Sequence, residues 1–436
     1  GQTNITAQNG IQVGSGAIGR LDNNTIYGNW YTGTYWGASG GLVYDSDDLI
    51  ITNNIFDTNQ MAMYYYGTNG TITNNEFVNN EWCFVLWGDA YIFDNIFDNN
   101  TYTKTYMAEI ASDHHCFTYI QDAIDAAPND DTILVYDGTY DENLSINKPI
   151  TVTGVNPPTN TAILNGIVDI TSDDSTVSNL FITPDNVTGN EAAVMIAASN
   201  VTVSGNIIEG MNGDGTGSVK GIHVYSTTND HSIVITDNLI NNINNSGNAT
   251  VYGGADGIMV QGVVDDVSVI NNTIQNVWSY GWSYGIEVTP TGSHPTMPPT
   301  TVIVQENTID AITATVWGDY SSCFSCDAYA SSYPANASEI TLEYNNFLNT
   351  SYGVINKDPV HILDATCNYW DDYTGPYHPV SNADGLGCNV SDNVTFTPWL
   401  DGLYPTGDCI GGLCTDPIYV DDDASSSWYD WDHVET

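Results

Sequence analysis

The sequence has very few basic residues. Its 436 residues include 5 Lys and Arg against 53 Asp and Glu, a formal net charge of −48. Nucleic-acid binding needs a surface rich in Lys and Arg that releases counterions from the phosphates. Anionic membranes attract proteins through the same kind of charge. The composition therefore argues against a nucleic-acid partner and against docking on an anionic membrane.

The sequence also lacks a long apolar run. No stretch reaches the roughly 18 apolar residues that a membrane-spanning helix needs, so no membrane insertion is predicted. No basic segment followed by an apolar segment opens the chain, and we expect Gly1 to be a processed or cut end. With 41% hydrophobic and 11% aromatic residues, the composition predicts a folded core and not disorder.

One short pattern recurs along most of the chain: an apolar or small residue, any residue, an apolar residue, two of any kind, Asn, any residue, and an apolar residue. The segment from Val267 to Ile274 is one example. The copies are unevenly spaced, which favours a coil with loops of variable length over leucine-rich or helical repeats. The asparagines of this pattern are Asn24, Asn54, Asn75, Asn95, Asn206, Asn238, Asn272, Asn307, Asn345 and Asn368.

The pattern predicts strands that turn a corner at the Asn. Apolar residues alternate with a period of two and the alternation breaks at the Asn, so each copy forms a strand, a corner and a second strand. A further apolar pair after Gly, as in Gly221-Ile222-His223-Val224, predicts a third strand per coil. We expect the asparagines to stack as an amide ladder and to adopt the left-handed backbone of a tight corner.

These repeats resemble the right-handed parallel β-helix proteins of pectin-lyase-like architecture. Among them, the chain is most similar to the NosD-like repeat proteins of archaeal and bacterial surfaces. The resemblance implies an all-β fold, a right-handed parallel β-helix or β-solenoid, with one short capping α-helix. It extends over nearly the whole chain, but the repeats specify architecture and not activity.

A predicted helix divides the chain. Thr118-Tyr119-Ile120-Gln121 fits a capping box, and Ile120, Ala123, Ile124 and Ala127 have helical spacing before Pro128. Cys367 to Leu400 resembles the closing segment of NosD-like solenoids. We therefore predict the C-terminal part of a first β-helix in residues 1–105, a second β-helix with an N-terminal capping helix in 106–400, and an extended tail or linker to the next module or subunit in 401–436.

The favoured function is structural. We expect an extracellular or cell-surface β-helix that joins identical subunits head to tail in a surface layer, sheath or filament of archaeal type. Lyases and esterases of the resembling fold use Arg or Lys, of which only Arg20, Lys104, Lys148, Lys220 and Lys357 are present. No catalytic residue is assigned and no enzyme is predicted. The alternative is a secreted β-helix that binds carbohydrate, through aromatic runs such as Met61 to Tyr66, or cleaves it with paired carboxylates.

The cysteines and the many sequons predict that the protein resides in an oxidising, extracellular environment. Cys83 and Cys116 have no obvious local mate, and the pairing of the others stays open. No cofactor is expected except possible Ca²⁺ at Asp421, Asp422 and Asp423. N-linked glycans are expected partners. The disulfide candidates are Cys323, Cys326, Cys367, Cys388, Cys409 and Cys414. The glycosylation candidates are Asn4, Asn69, Asn99, Asn143, Asn186, Asn200, Asn248, Asn336, Asn389 and Asn393.

Overall fold

The computed structural model describes most of the chain. The described residues are 9–33, 37–102, 108–157, 159–184, 187–247, 253–291, 297–316, 321–327 and 335–411, without the side chains of 227–231. The strands before residue 118 are β1 (Ile11–Val13), β2 (Arg20–Asp22), β3 (Thr25–Tyr27), β4 (Ser39–Tyr44), β5 (Ile50–Thr52), β6 (Ile55–Asp57), β7 (Met61–Thr73), β8 (Glu76–Val78), β9 (Trp82–Phe93), β10 (Ile96–Asp98), β11 (Ala108–Ile110) and β12 (His115–Phe117).

The second part begins with the helix α1 (Ile120–Ala126), and its described residues include the 3₁₀ turn Ala337–Glu339. Its first strands are β13 (Thr132–Val135), β14 (Gly138–Tyr140), β15 (Leu144–Ile146), β16 (Thr151–Gly154), β17 (Ala162–Leu164), β18 (Val168–Ile170), β19 (Thr176–Ser178), β20 (Phe181–Ile182), β21 (Ala192–Ile196), β22 (Thr202–Ser204), β23 (Ile207–Glu209), β24 (Asn212–Gly213), β25 (Ser218–Thr236), β26 (Leu239–Asn245) and β27 (Gly254–Ile270). The remaining strands are β28 (Thr273–Ser279), β29 (Ser283–Thr289), β30 (Thr300–Gln305), β31 (Thr308–Ala314), β32 (Ser321–Cys326), β33 (Ile340–Glu343), β34 (Asn346–Leu348), β35 (Tyr352–Asn356), β36 (Leu363–Asp364), β37 (Pro376–Tyr377), β38 (Gly387–Val390), β39 (Val394–Thr395), β40 (Trp399–Leu400) and β41 (Cys409–Gly411).

The strands wind into a right-handed parallel β-helix, as predicted. Each coil contributes one strand to each of three faces, and strands of successive coils pair in parallel. Face 1 carries β15, β18, β21, β29, β32 and β35, and face 3 carries β14, β17, β20, β23, β26, β28, β31 and β34. Face 2 carries β13, β16, β19, β22, β30 and β33. Strands β25 and β27 run through a corner and belong to faces 1 and 2.

The period-two pattern produces the core because inward side chains of successive coils stack on one another. One fully buried column on face 2 consists of Val152, Val177, Val203, Ile235, Val269, Val304 and Leu342. Glycine is required on face 1, where the backbones approach closely. A Cβ on Gly221, Gly257 or Gly285 would lie 2.6, 2.6 or 2.5 Å from a carbonyl oxygen of the next coil. This close approach explains the Gly before each apolar pair.

The ten predicted asparagines lie in two columns, one in each part of the chain. Within a column, Nδ2 of each Asn donates to Oδ1 of the next at 2.9 to 3.1 Å. Leu180 takes the Asn position at the start of the second column, and its backbone N–H donates to Asn206. A further asparagine ladder, which the pattern did not predict, consists of Asn29, Asn59, Asn80 and Asn100.

The backbone prediction for these corners was wrong. The left-handed residue is the one before the ladder Asn, as at Asn53 (φ 54°), Asn271 (φ 54°) and Tyr344 (φ 60°). The preceding residue makes the turn. The ladder Asn then lies with its amide in the core, where it donates to backbone carbonyls as well as to its neighbour.

An antiparallel hairpin joins the two parts of the chain. Strand β12 pairs with β9, β11 pairs with β12, and β11 also pairs with β13, so the sheet continues from one part into the other. The buried apolar residues nevertheless form two clusters, one from Ile26 to Cys116 and one from Ala108 to Trp399. The first core includes Cys116, and Tyr136 packs against it, so it extends past the predicted boundary at residue 105.

Helix α1 buries Ile120, Ala123 and Ile124 against the second core. The prediction of a capping box at its start was wrong. No side chain of the N-cap residue caps the helix. The carboxylate of Glu142, from the next coil, accepts from the backbone N–H groups of Ile120 and Gln121 at 2.8 and 2.9 Å. An anion at a helix N-terminus is favoured by the helix dipole, so a tertiary contact replaces the local one.

The segment after Leu400 folds back onto the solenoid. Strand β41 pairs antiparallel with β40, and Cys409 forms a disulfide with Cys367. The Tyr404 hydroxyl donates to Glu306 at 2.8 Å. Residues 401–411 are therefore part of the folded body, unlike the extended tail predicted from residue 401. No helix in the described residues is long and apolar enough to span a membrane.

Candidate functional site

The predicted site residues have different environments. The disulfide joins Cys367 to Cys409 across two closing segments, while Cys323, Cys326 and Cys388 are buried thiols. The prediction that these three cysteines form disulfides was therefore wrong. Cys323 and Cys326 lie on one strand and direct their sulfurs to different carbonyls, those of Ile309 and Ala335. Cys414 and the candidate Ca²⁺ residues Asp421, Asp422 and Asp423 lie outside the described residues.

The sequons lie mainly at solvent-exposed corners. Asn69, Asn99, Asn143, Asn200 and Asn393 are exposed, and Asn336 and Asn389 are half-buried. Asn4, Asn186 and Asn248 lie outside the described residues.

A cluster of buried charged residues lies on the outward side of face 1, and sequence reasoning missed it. Lys220 stacks beneath Asp256, and Asp256 beneath Tyr284, on strands of successive coils. Glu287 lies three residues after Tyr284 on β29. Asp327 directly follows β32 at the end of this face. All five side chains are buried although they point away from the core.

The contacts divide this charged cluster into two Lys–Asp groups. Lys220 Nζ donates to the carbonyl of Ser218 at 2.8 Å, and the Ser218 hydroxyl donates to Asp256 Oδ2 at 2.7 Å. Lys357 Nζ lies 2.7 Å from Asp327 Oδ1 and donates to the Tyr284 hydroxyl at 3.1 Å. Glu287 lies between the groups and hydrogen-bonds to Asp327.

Burial shifts the protonation of the charged cluster. It raises the pKa of Asp256, and it raises the pKa of Glu287 well above its usual range, with the charges of Asp256 and Asp327 adding to the effect on Glu287. Burial also lowers the pKa of Lys220. The pKa of His223, on the adjacent outward column, falls to about 3 through burial and the charge of Lys220. Burial therefore favours the neutral, protonated form of Glu287.

Several polar atoms of this region have no hydrogen-bond partner in the described part of the chain. They are Asp256 Oδ1, Glu287 Oε2, Ser322 Oγ and Ser325 Oγ. Unsatisfied buried polar atoms are costly and rare, so their concentration on neighbouring coils marks a functional candidate. Within the described ranges, no group of three or more His, Cys, Asp and Glu side chains is placed to hold a metal ion.

A sequence signal for the charged cluster existed. Several residues in or beside the Gly-Ile-x-Val strands are charged, as in Asp256 before Gly257 and Glu287 after Ile286. What the sequence could not show is that Asp327 and Lys357, which lie outside that motif, come to the same place.

An exposed aromatic column occupies the outward side of face 1 in the first part of the chain. Tyr44, Tyr66 and Trp87 are in register on successive strands and are 57%, 43% and 45% exposed. The rings of Tyr44 and Tyr66 stack with centroids 5.4 Å apart. In the predicted aromatic run, Met63 and Tyr65 are core residues, so only part of that run is available to a ligand.

An open pocket of about 300 Å³ lies at the joint between the two parts, lined by Asn95, Phe97, Glu109, His114 and Tyr136 among others. Glu109 Oε1 lies 2.7 Å from His114 Nδ1, and its other oxygen accepts from Tyr136. This arrangement links the hairpin to the second β-helix, so it has a structural role.

Comparisons with known proteins concern the architecture. Residues 2–116 match the family model described as right handed beta helix region. Among solved structures, the chain is similar to pectin methylesterase in complex with a hexasaccharide, with 13% identity and a TM-score of 0.24, over 44% of this chain and 75% of that chain. That similarity carries no argument about activity. No curated protein matches.

Proposed function

We propose that the chain is an extracellular structural protein and not an enzyme. It would be a β-helix subunit or repeat unit of a surface layer, sheath or filament, joined head to tail to identical subunits. The observation that carries this proposal is the joint in which β9, β12, β11 and β13 continue as one sheet from one β-helix to the next. Strand pairing between successive solenoids is the contact that head-to-tail assembly would repeat.

The first described coil offers a surface for such a contact. Strand β1 pairs with β4, and in the described residues no other strand pairs with it. Its side chains Ile11 and Val13, and Leu21 beside them, are only half-buried. An unpaired strand edge beside half-buried apolar residues is a template for pairing with another chain. We propose that the occupant is a second copy of this protein.

Charge and sequons support a location outside the cell. A net charge of −48 keeps individual subunits soluble and makes their association dependent on salt or divalent cations. Asn69, Asn99, Asn143 and Asn200 are exposed and could accept N-linked glycans. We also propose that the carboxylates of Asp421 to Asp423 bind Ca²⁺.

The test is electron microscopy and sedimentation of the full chain over a range of NaCl and CaCl₂ concentrations. We expect filaments or end-to-end oligomers that Val13→Lys abolishes, because it adds a charge to the apolar contact. Gln12→Lys is the matched control, since it adds the same charge on an exposed side chain of the same strand. Monomers under all conditions, or equal assembly of both variants, would contradict the proposal.

The second candidate function is carbohydrate binding, favoured by the aromatic column of Tyr44, Tyr66 and Trp87. Successive exposed rings can stack on successive sugar rings. The acidic surface favours a neutral glycan over an acidic one. Calorimetry with neutral and acidic oligosaccharides should detect binding only of the neutral class, and Trp87→Ala should remove it. Absence of binding to any oligosaccharide would count against this function.

A further inference from the structure

Lys357 and Asp327 form an ion pair at the edge of the charged cluster. Lys357 Nζ lies 2.7 Å from Asp327 Oδ1. Both residues directly follow strands of adjacent coils, β32 and β35, and their backbones are fixed: Asp327 N donates to Val288 O, and Lys357 N donates to Cys326 O. The Tyr284 ring lies beneath Nζ, 5.5 Å from it. The register of the sheet thus holds the Lys357 ammonium against the Asp327 carboxylate.

Glu287 adds a buried acid to this pair. It hydrogen-bonds to Asp327 and is buried. Burial and the neighbouring carboxylates raise its pKa well above the usual range, which favours its protonated form. A neutral carboxylic acid in contact with a second carboxyl can donate a proton to it and later accept one.

We propose that Lys357 and Asp327 form an intramolecular isopeptide bond, with Glu287 as the proton-transferring residue. The ammonium of Lys357 first gives a proton to the carboxylate of Asp327, and the resulting amine nitrogen attacks Asp327 Cγ. Glu287 donates to the departing oxygen and regains a proton from the nitrogen. One C–N bond forms, one C–O bond breaks, and water leaves. An ammonium and a carboxylate become an amide and water, so no co-reactant is consumed.

The surroundings favour this reaction in two ways. Charged groups are costly in a buried site, and an amide removes both charges. Positioning the reactants converts a bimolecular condensation into an intramolecular one. The Lys357 side chain is 27% exposed, which leaves the product water a path to solvent. The bond would join adjacent coils covalently.

Lys220 provides an internal control. It is also buried beside a carboxylate, Asp256, but its Nζ donates to the Ser218 carbonyl, and the Ser218 hydroxyl occupies Asp256 Oδ2. Because the Lys220 amine is directed at a backbone carbonyl, we expect no isopeptide bond at Lys220. The proposal does not depend on the structural function given above.

The test is mass spectrometry of the full chain after disulfide reduction. We expect a mass lower by one water than the sequence mass. After digestion with a Glu-specific protease, which cuts after Glu339 and Glu343 between the two residues, the peptide containing Asp327 should remain joined to the peptide containing Lys357. A Lys-specific protease should not cut after Lys357. A succinimide at an Asp-Gly step would also lose water, but it joins no peptides. The full sequence mass with separate peptides would overturn the bond.

Three variants test the assignment. Lys357→Met should restore the full mass, and Lys220→Met should keep the water loss. Glu287→Gln keeps the shape but removes the acid, and it should slow formation at least tenfold. Circular dichroism checks the β-fold of each variant. Water loss that persists in Lys357→Met would overturn the site, and an unchanged rate in Glu287→Gln would overturn the role of Glu287.

Discussion

Replacing one amide inside the asparagine ladder should destabilise the β-helix strongly. Asn272 is buried, and its Nδ2 donates to the carbonyls of Ile235 and Ile270 and to Asn307 Oδ1. Its Oδ1 accepts from both the backbone N–H and the Nδ2 of Asn238, each at 3.0 Å. No other residue type in this corner supplies donors and an acceptor in these directions.

Asn272→Ala removes all five contacts. Some partners keep another bond, because Asn307 Oδ1 still accepts from the backbone of residue 272 and Asn238 Nδ2 still donates to Val203 O. The backbone N–H of Asn238 is left buried without an acceptor. An orphaned buried donor costs about 1–3 kcal/mol and each further net hydrogen bond about 1 kcal/mol, so the expected loss is roughly 4 kcal/mol.

Asn272→Asp separates shape from hydrogen bonding. The variant keeps the acceptor for Asn238 N–H but turns a carboxylate toward the oxygens of Ile235, Ile270 and Asn307. Burial beside acceptors raises the pKa of such a carboxyl, so the stability lost at pH 7 should be partly regained as pH falls and the group protonates. This direction is opposite to ordinary acid denaturation.

The assay is urea unfolding followed by circular dichroism, with hydrogen exchange at the Asn238 amide as the local readout. Asn24→Ala is the matched control, because Asn24 makes the same contact to Asn54 at a half-exposed end of its ladder. Its loss should be about 1 kcal/mol. If Asn272→Asp is as stable as the parent at pH 7, the ladder does not act through its amides.

Three other predictions concern single contacts. Cys409→Ser should lower the free energy of unfolding in urea by about 2–4 kcal/mol, because the disulfide to Cys367 closes a loop of 42 residues. If a reductant leaves the unfolding of the parent protein unchanged, this prediction is contradicted. Glu142→Ala should lower the melting temperature by the loss of about 1 kcal/mol of helix capping, whereas Asp122→Ala, exposed in the same first turn, should not. Burial alone would raise the pKa of Asp89, but hydrogen bonds from His115 and the Asn69 backbone lower it overall. The stabilisation from Asp89 should therefore be present above its unfolded pKa of about 4 and be lost as pH falls through the lowered value. His115→Gln should flatten that acid limb of the melting curve, and an unchanged limb would refute the role of the pair.

The repeat pattern was sufficient to predict the coil and its corners. Apolar residues with a period of two, a Gly before the apolar pair and an Asn at each corner are local requirements of one coil, so they recur in the sequence. The left-handed residue before each ladder Asn was misassigned because Asn itself tolerates that backbone, whereas the preceding residue varies in type, as at Asp94, Tyr344 and Cys367. The helix was predicted, but its cap was not, because Glu142 belongs to the next coil.

The charged cluster could not be predicted in the same way. Lys357, Asp327 and Glu287 share no local motif, and loops of different length separate them in the sequence. Their contact depends on the register between β29, β32 and β35.

The sequence by itself determined the type of coil and the stacking of its asparagines, because each coil repeats the same short-range rules. Only the tertiary structure decided which outward side chains meet, which cysteines bond, and which acid caps the helix. Strands of neighbouring coils lie about 4.8 Å apart whatever the length of the loop between them. Proximity across coils therefore leaves no fixed spacing in the sequence.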